Sequence, residues 1–372
     1  MITKVSGIEG GTEMILDDRL PTILRKTYIA RIEGDRLLIG DRRRYPWEIS
    51  YVACASVQQV AEAIRAMVTQ GGGPLQVALT TMRLVARWIH AGLQPDRLDT
   101  FVHAANLLAE ARPTNTTMAR TLKDFVVDLS VWYHCQSIRS SHDRDLVSFT
   151  DSLLDAVEER FDHAYESMSD LGASLITGDE GVLTTCFAEH SFTLSMLKAT
   201  ERGNRVTVYV PETRPYLQGS RLTAPSLAQL GIRVKLVTDG MGSHLMGEGL
   251  VDHYLTAADL VAMDGTVVNK VGTLANAIGA HHYHIPYHVF AVSPDPTKLT
   301  RKDIVMEMRD GGEVRRCGTS ATTLDSIEAL YPAFDCIDAS LVDAIITPKG
   351  MISPADISMH YKVAGTDKGA ST

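Results

Sequence analysis

The sequence predicts an α/β protein: a C-terminal, doubly wound, Rossmann-like parallel sheet, preceded by a mainly helical N-terminal domain that carries a small β element. Two observations lead there. From about residue 172 onward, short β-rich runs alternate with helical stretches of roughly a dozen residues, the rhythm of parallel strands with crossover helices. Before that point helical periodicity dominates, and one stretch alone alternates with period two. The chain of 372 residues is also too long for one ordinary core, which favours two domains. The expected divisions are 1–170, 171–360 and a polar tail over 361–372.

The elements follow in order. Residues from about 23 to 40 alternate apolar and polar, with Gly34-Asp35 as a turn, and read as a hairpin. Ser56 is a good N-cap for a helix carrying Val57, Val60, Ile64 and Met67 on one face. A second helix follows Gly71-Gly72-Gly73-Pro74, and a third runs from about Leu98 to Ala109. Phe149, Leu153, Val157, Phe161 and Ala164 mark a long amphipathic helix. The polar stretch from Gln136 to Arg144 reads as a loop or insertion. Strands are expected at Ser174–Thr177, Val182–Thr185, Arg205–Val210, Arg233–Thr238, His253–Thr256 and Tyr287–Val292. No GxGxxG follows the first of them, so a dinucleotide cofactor is not expected.

Bulk properties narrow the function. A hydrophobic fraction of 45% and a charged fraction of 22% suit a soluble globular protein. The formal charge of −9 argues against a nucleic-acid surface, which needs a basic face. Arg42-Arg43-Arg44 reads as a solvated edge. The five cysteines (Cys54, Cys135, Cys186, Cys317, Cys336) form no CxxC pair, so neither a disulfide framework nor a structural zinc site is indicated. His281-His282-Tyr283-His284 lacks an acidic or cysteine partner at ligand spacing, and no metal is expected there. With no signal-like or membrane-length apolar run, a cytoplasmic location with reduced thiols is the expectation.

Candidate chemistry gathers at the ends of the β-runs. Pro211–Thr223 (PETRPYLQGSRLT) follows a strand and carries Glu212, Arg214, Gln218 and Arg221 on one connection. At the carboxyl edge of an α/β sheet its arginines can orient an anion or fix a carboxylate; a structural ion pair is the competing reading. Cys186 ends a β-run near the start of the next helix, where a thiolate is stabilised; an inert buried cysteine is the alternative. Asp259, after an apolar approach, is either a carboxyl of raised pKa fit for acid–base work or a helix N-cap. Asn269-Lys270 precede Gly272, so Lys270 either meets an anionic group or is solvated. His190 lies four residues after Cys186, so on a helix the two would share a face.

Together these residues resemble the methylthioribose-1-phosphate isomerase family, which is related to ribose-1,5-bisphosphate isomerase and to the regulatory subunits of translation initiation factor 2B. The resemblance runs from about Asp41 to Pro354. It is carried by ETRPYLQGSRLT, by Asp259 through Thr273, by Leu183-Thr184-Thr185-Cys186, by Ala111-Arg112-Pro113-Thr114 and by Tyr331-Pro332-Ala333-Phe334-Asp335. It implies an aldose–ketose isomerisation without metal, nucleotide or other cofactor, on a small sugar or sugar-phosphate substrate, in a homodimer. Cys186 and Asp259 would be the catalytic pair; Arg112, Gln218, Asn269 and Lys270 would hold hydroxyls and phosphate.

Three positions depart from the family. Thr69-Gln70-Gly71-Gly72-Gly73-Pro74 stands where the family has its phosphate-binding VRGAP, so Gln70, Gly71 and Gly72 occupy the binding position without its arginine. Phe187-Ala188-Glu189 replaces Asn-Ala-Gly, and Leu260 stands where an arginine follows the aspartate. Three readings follow: 5-methylthioribose 1-phosphate or a 5-deoxypentose 1-phosphate as substrate; the same reaction on a sugar lacking the anomeric phosphate or carrying it elsewhere; or a non-catalytic scaffold like the initiation-factor subunits.

Overall fold

In the computed structural model, residues 16–95, 98–113, 116–138 and 145–361 are described. The period-two stretch forms an antiparallel meander of β1 (Ala30–Glu33), β2 (Arg36–Gly40) and β3 (Tyr51–Cys54). Gly34, at φ +62°, and Asp35 make the two-residue turn between the paired Glu33 and Arg36. The hairpin starts later than expected. Thr22–Leu24 and Lys26–Ile29 are helical turns, because Ile23-Leu24 and Tyr28-Ile29 are buried as adjacent pairs rather than alternately.

Helices α1 (Val57–Arg65), α2 (Gly73–His90), α3 (Leu98–Ala111), α4 (Thr116–Ile138) and α5 (Leu146–Ser174) follow. The Ser56 hydroxyl accepts the Gln59 N–H at 3.3 Å and caps α1 as expected. Helix α4 continues through Gln136–Ile138, so that part of the expected polar loop is helical; residues 139–144 and the tail beyond Tyr361 lie outside the described residues. Helix α5 runs across position 170. Its Leu154 and Phe161 join one apolar core, and its Met168 and Ala173 join another.

The second core surrounds a seven-stranded, mainly parallel sheet. Its strands are β4 (Asp179–Leu183), β5 (Arg205–Pro211), β6 (Arg233–Val237), β7 (His253–Ala257), β10 (Tyr287–Phe290), β12 (Ala344–Thr347) and β13 (Gly350–Ile352). Three shorter strands, β8 (Leu260–Val261), β9 (Val267–Lys270) and β11 (Phe334–Ile337), form a side sheet in the order β11-β9-β8. The main order is β13-β12-β10-β7-β4-β5-β6, parallel throughout except for the antiparallel β12–β13 edge. The chain enters at β4 in the middle, builds outward through β5 and β6, then returns to β7 on the other side. The β4/β7 boundary is therefore the topological switch point, where α/β sheets bind ligands.

The expected strand at Ser174–Thr177 does not form. Helix α5 runs to Ser174, where Gly172 packs tightly on Ser195 of helix α6 (Glu189–Glu201) and on Phe290, and Leu175–Thr177 form the turn and link that lead into β4. Close packing of small residues overrides the local β propensity of Leu175-Ile176-Thr177.

Candidate active site

The two strands flanking the switch point deliver the two predicted catalytic side chains. Cys186 follows β4, and Asp259 follows β7. The connection Pro211–Thr223 clamps the Cys186 backbone from both sides. Its N–H donates to Thr213 Oγ1 at 3.2 Å, and its carbonyl accepts from Thr223 Oγ1 at 2.6 Å. These bonds hold Cys186 at φ +67°, a left-handed conformation that a non-glycine residue adopts only when its surroundings enforce it.

The thiol is not poised as a thiolate. Helix α6 begins at Glu189, so Cys186 stands outside its first turn. Burial pushes the Cys186 thiol up to about 12, outweighing the lowering effect of Lys270, and Asp259 adds to the rise. For the same reason His190 shares no helical face with Cys186. Its Nε2 lies 3.0 Å from the Leu24 carbonyl, and its ring stacks on Tyr165 at 4.8 Å.

Asp259 is not a helix cap. Its N–H donates to the Val268 carbonyl at 2.9 Å, and the chain continues into β8. The carboxyl opens into a protein-walled cavity. Protein crowding around the cavity raises it above the ordinary carboxylate range against the pull of Arg112 and Lys270, with Glu189 and Glu307 reinforcing the rise, although the side chain itself stays exposed to the open cavity.

Lys270 ends β9 rather than starting a helix; the next helix, α7 (Thr273–Tyr283), begins after Gly272. The Lys270 ammonium donates to Tyr331 Oη at 2.6 Å and faces the rings of Tyr331, Tyr216 and Phe334 at 4.9, 5.3 and 5.8 Å. Burial lowers its pKa, while Cys186 and Asp259 act to raise it. An aromatic box of this kind supports a cation that water no longer solvates.

A cavity of about 200 Å³ gathers all nine predicted site residues: Gln70, Gly71, Gly72, Arg112, Cys186, Gln218, Asp259, Asn269 and Lys270. Gln70 Oε1, Gln218 Oε1 and Asn269 Nδ2 are buried there without a hydrogen-bond partner. Such atoms carry a desolvation cost that a hydroxylated ligand relieves. A second cavity of about 570 Å³ adjoins it, sharing Met67, Arg112, Asp259 and Phe334, and is walled by Ile304, Val305 and Met306.

Three cavity or supporting residues were missed. Asp295, only 2% exposed, lines the cavity with an unpartnered Oδ2; its sequence neighbourhood, a Pro-rich loop after a strand, was the available signal. Arg309 reaches the site from outside the sheet, donating to Tyr216 Oη at 2.9 Å. Arg42 is the third, and it corrects the solvated-edge reading: it is 1% exposed. Its guanidinium donates to the Gln70 and Ile23 carbonyls and lies 3.0 Å from Glu189 Oε1. Arg43 and Arg44 do stay at the surface, paired with Asp41 and Glu48.

The Gly71–Gly72 turn is shaped around Glu189. The Gly72 N–H, at the start of α2, donates to Glu189 Oε2 at 2.8 Å. Gly71 adopts φ +60°, and a Cβ there would collide with Glu189 Oε1. Among the described residues, the guanidinium groups of the Pro211–Thr223 connection bond backbone carbonyls, while the Arg214 backbone N–H donates to Asp239 Oδ2 at 2.7 Å. Arg214 donates to the Arg316 and Val314 carbonyls at 2.6 and 3.0 Å, and Arg221 to the Tyr45 carbonyl at 3.4 Å. Gln218 is the residue of that stretch that faces the cavity.

Residues 73–354 match the model of the initiation factor 2 subunit family. The chain is 33% identical over 353 residues to a methylthioribose-1-phosphate isomerase of Pelotomaculum thermopropionicum, covering 91% of this chain and 94% of that protein. It is 34% identical over 357 residues to the protein of the same name from Thermotoga petrophila, covering 91% and 99%. Among solved structures it is similar to 5-methylthioribose 1-phosphate isomerase from Pyrococcus horikoshii (TM-score 0.73, 25% identity, 92% of this chain and 97% of that one). It is also similar to the delta subunit of translation initiation factor eIF-2B from A. fulgidus (TM-score 0.72, 26% identity, 88% and 96%). With the family model spanning most of the sequence and relatives of this identity matching nearly end to end, the chain belongs to the initiation factor 2 subunit family.

Proposed function

We propose that this protein is an aldose–ketose isomerase acting on a five-carbon sugar derivative of the 5-methylthioribose or 5-deoxypentose type, which it converts to the corresponding ribulose derivative. The compound in its relatives' names, 5-methylthioribose 1-phosphate, is the first substrate to try. The observation that carries the reading is the pairing of a protonated thiol with a carboxyl of raised pKa across one cavity at the switch point. A purely scaffolding protein has no physical need for that pair. The homodimer belongs to the same proposal and rests on the family resemblance.

The side chains favour a route without a new negative charge. Protonated Asp259 donates to the ring oxygen as the C1–O bond breaks, leaving an electron-poor C1 stabilised by its remaining oxygen. A hydride then moves from C2 to C1. The O2 proton returns to the Asp259 carboxylate, C2 becomes the carbonyl, and the carboxyl is restored for the next turnover. An enediol route needs a strong base, and a thiol pushed up to about 12 leaves little thiolate at neutral pH. Cys186 instead supplies a neutral donor beside the reacting carbons. Gln218, Asn269 and Gln70 orient hydroxyls, and Arg112 and Lys270 offset charge on the ligand.

The test is to incubate purified protein with 5-methylthioribose, its 1-phosphate and the 5-deoxyribose analogues and follow them by 13C NMR. A ketose carbonyl from at least one of them is expected, and its loss in Cys186→Ser and Asp259→Asn. Ketose formation by both variants at the parental rate would sink the catalytic assignment.

A further inference from the structure

We propose that Glu189 is the specificity-determining residue of this site: its carboxylate takes the place of a ligand anion at the start of α2, so that the Gly71–Gly72 end of the cavity receives a sugar hydroxyl at C1 and rejects a phosphate there. The proposal rests on the isomerase reading for the placement of C1. The adjoining apolar cavity, walled by Ile304, Val305 and Met306, suits an apolar C5 substituent and meets the first cavity at Asp259. A sugar lying this way points C1 toward Gly71 and Gly72.

The start of a long helix, with its free N–H groups, ordinarily favours an anion. Here the protein supplies one. Both Glu189 oxygens are engaged, Oε2 by the Gly72 N–H at 2.8 Å and Oε1 by Arg42 at 3.0 Å. The carboxylate packs so closely on the turn that a Cβ at Gly72 would lie 2.6 Å from Oε2. No room remains between loop and carboxylate for a phosphate, and the charge of Glu189 opposes a second anion beside it. Glu189 itself is held at φ +54°, a left-handed backbone that its contacts must stabilise.

A second, independent observation concerns what the cavity does offer. Gln70 Oε1, Gln218 Oε1 and Asp295 Oδ2 are unpartnered, and each residue is more than nine-tenths buried. These three are acceptors, and Asn269 Nδ2 is an unpartnered donor of the same cavity. A sugar hydroxyl can donate to the acceptors, whereas the oxygens of a phosphate-ester dianion carry no proton to give. The two glutamine amides can be exchanged end for end, but the Asp295 carboxylate has no donor in either orientation while ionised.

The experiment uses inorganic phosphate and two sugars as probes of the parent, Glu189→Gly and the near-isosteric Glu189→Gln. By titration calorimetry at fixed ionic strength, the variants are expected to bind inorganic phosphate at least about tenfold more tightly than the parent. In turnover, the parent is expected to favour 5-methylthioribose over its 1-phosphate in kcat/KM, and Glu189→Gly to shift that ratio toward the 1-phosphate by about tenfold or more. Glycine suits the left-handed backbone at this position; should Glu189→Gly not fold, as judged by circular dichroism, Glu189→Gln carries both measurements. Equal phosphate affinity in parent and variants, or a parent that prefers the 1-phosphate with no gain in either variant, overturns the proposal and leaves the isomerase reading standing. If no form turns over any sugar, the isomerase reading falls, and the phosphate titration alone still decides the role of Glu189.

Discussion

Arg42 of the N-terminal meander and Glu189 of the α/β half form a buried ion pair, 3.0 Å between Nη1 and Oε1, with the Arg42 side chain 1% exposed and that of Glu189 12%. Burial alone would raise the Glu189 carboxyl, but His190, Arg42 and the Gly72 N–H outweigh it and hold the group below its ordinary value. The pair thus fixes a negative charge at the mouth of α2 and ties the glycine turn to the strand that delivers Cys186.

Removing one partner should therefore be costly. Arg42→Ala is expected to lose about 3–5 kcal/mol of unfolding free energy by urea titration, because it leaves a carboxylate buried without its counter-ion. The double variant Arg42→Leu/Glu189→Leu should be less destabilised than the sum of its singles. A loss below about 1 kcal/mol for Arg42→Ala would mean the pair behaves like a surface one.

Cys186→Ser and Asp259→Asn are expected to lower kcat by about 10²–10⁴ with little change in KM, since both act on the reacting atoms rather than on binding alone. Steady-state kinetics on the best substrate found by NMR checks this. A pure KM effect would reassign both residues to binding.

The raised Asp259 carboxyl has a stability signature of its own. Its folded-state pKa lies above the unfolded value, so the folded state binds the proton more tightly. Its stabilising contribution is full below the unfolded pKa and is lost as pH rises through the folded one. At neutral to alkaline pH the ionised group is a small burden, damped by the solvent that reaches this exposed side chain, and Asp259→Asn should raise Tm slightly there while lowering turnover. Calorimetry across pH tests it: the gain should shrink as pH falls into the carboxylate range. In parallel, kcat/KM of the parent should decline as pH rises through the folded pKa, because the protonated acid is the active form.

The thiol makes a chemical prediction. With Cys186 pushed up to about 12, iodoacetamide near neutral pH should label the exposed Cys135 and Cys317 first, and Cys186 slowly. Between about pH 7 and pH 9 the Cys186 rate should rise roughly tenfold per unit, following its thiolate fraction. Peptide mass spectrometry resolves the three sites. Rapid labelling of Cys186 at neutral pH would contradict a protonated thiol and reopen the enediol route.

The parallel strands were legible because each is a short apolar run bounded by turn residues, and β5, β6 and β7 lie within a residue or two of their expected limits. Residues drawn to one cavity were legible too, since the ends of β4, β7 and β9 all meet at the switch point. What failed was local propensity under tertiary control. Leu175-Ile176-Thr177 reads as strand until Gly172 is seen against Ser195, and the Asp259 approach reads as a helix start until β9 pairs with β8. The Arg42–Glu189 pair was out of reach for a different reason. Its members are 147 positions apart, and the triple-arginine run looks like any solvated edge until the fold buries one of the three.

The most direct measurement is 13C NMR of 5-methylthioribose and of its 1-phosphate, each labelled at C2 and incubated with the parent protein and with Asp259→Asn. A ketose carbonyl signal should grow from one of the two sugars with the parent and from neither with the variant. No carbonyl from either sugar with the parent, or equal growth with Asp259→Asn, would contradict the isomerase reading.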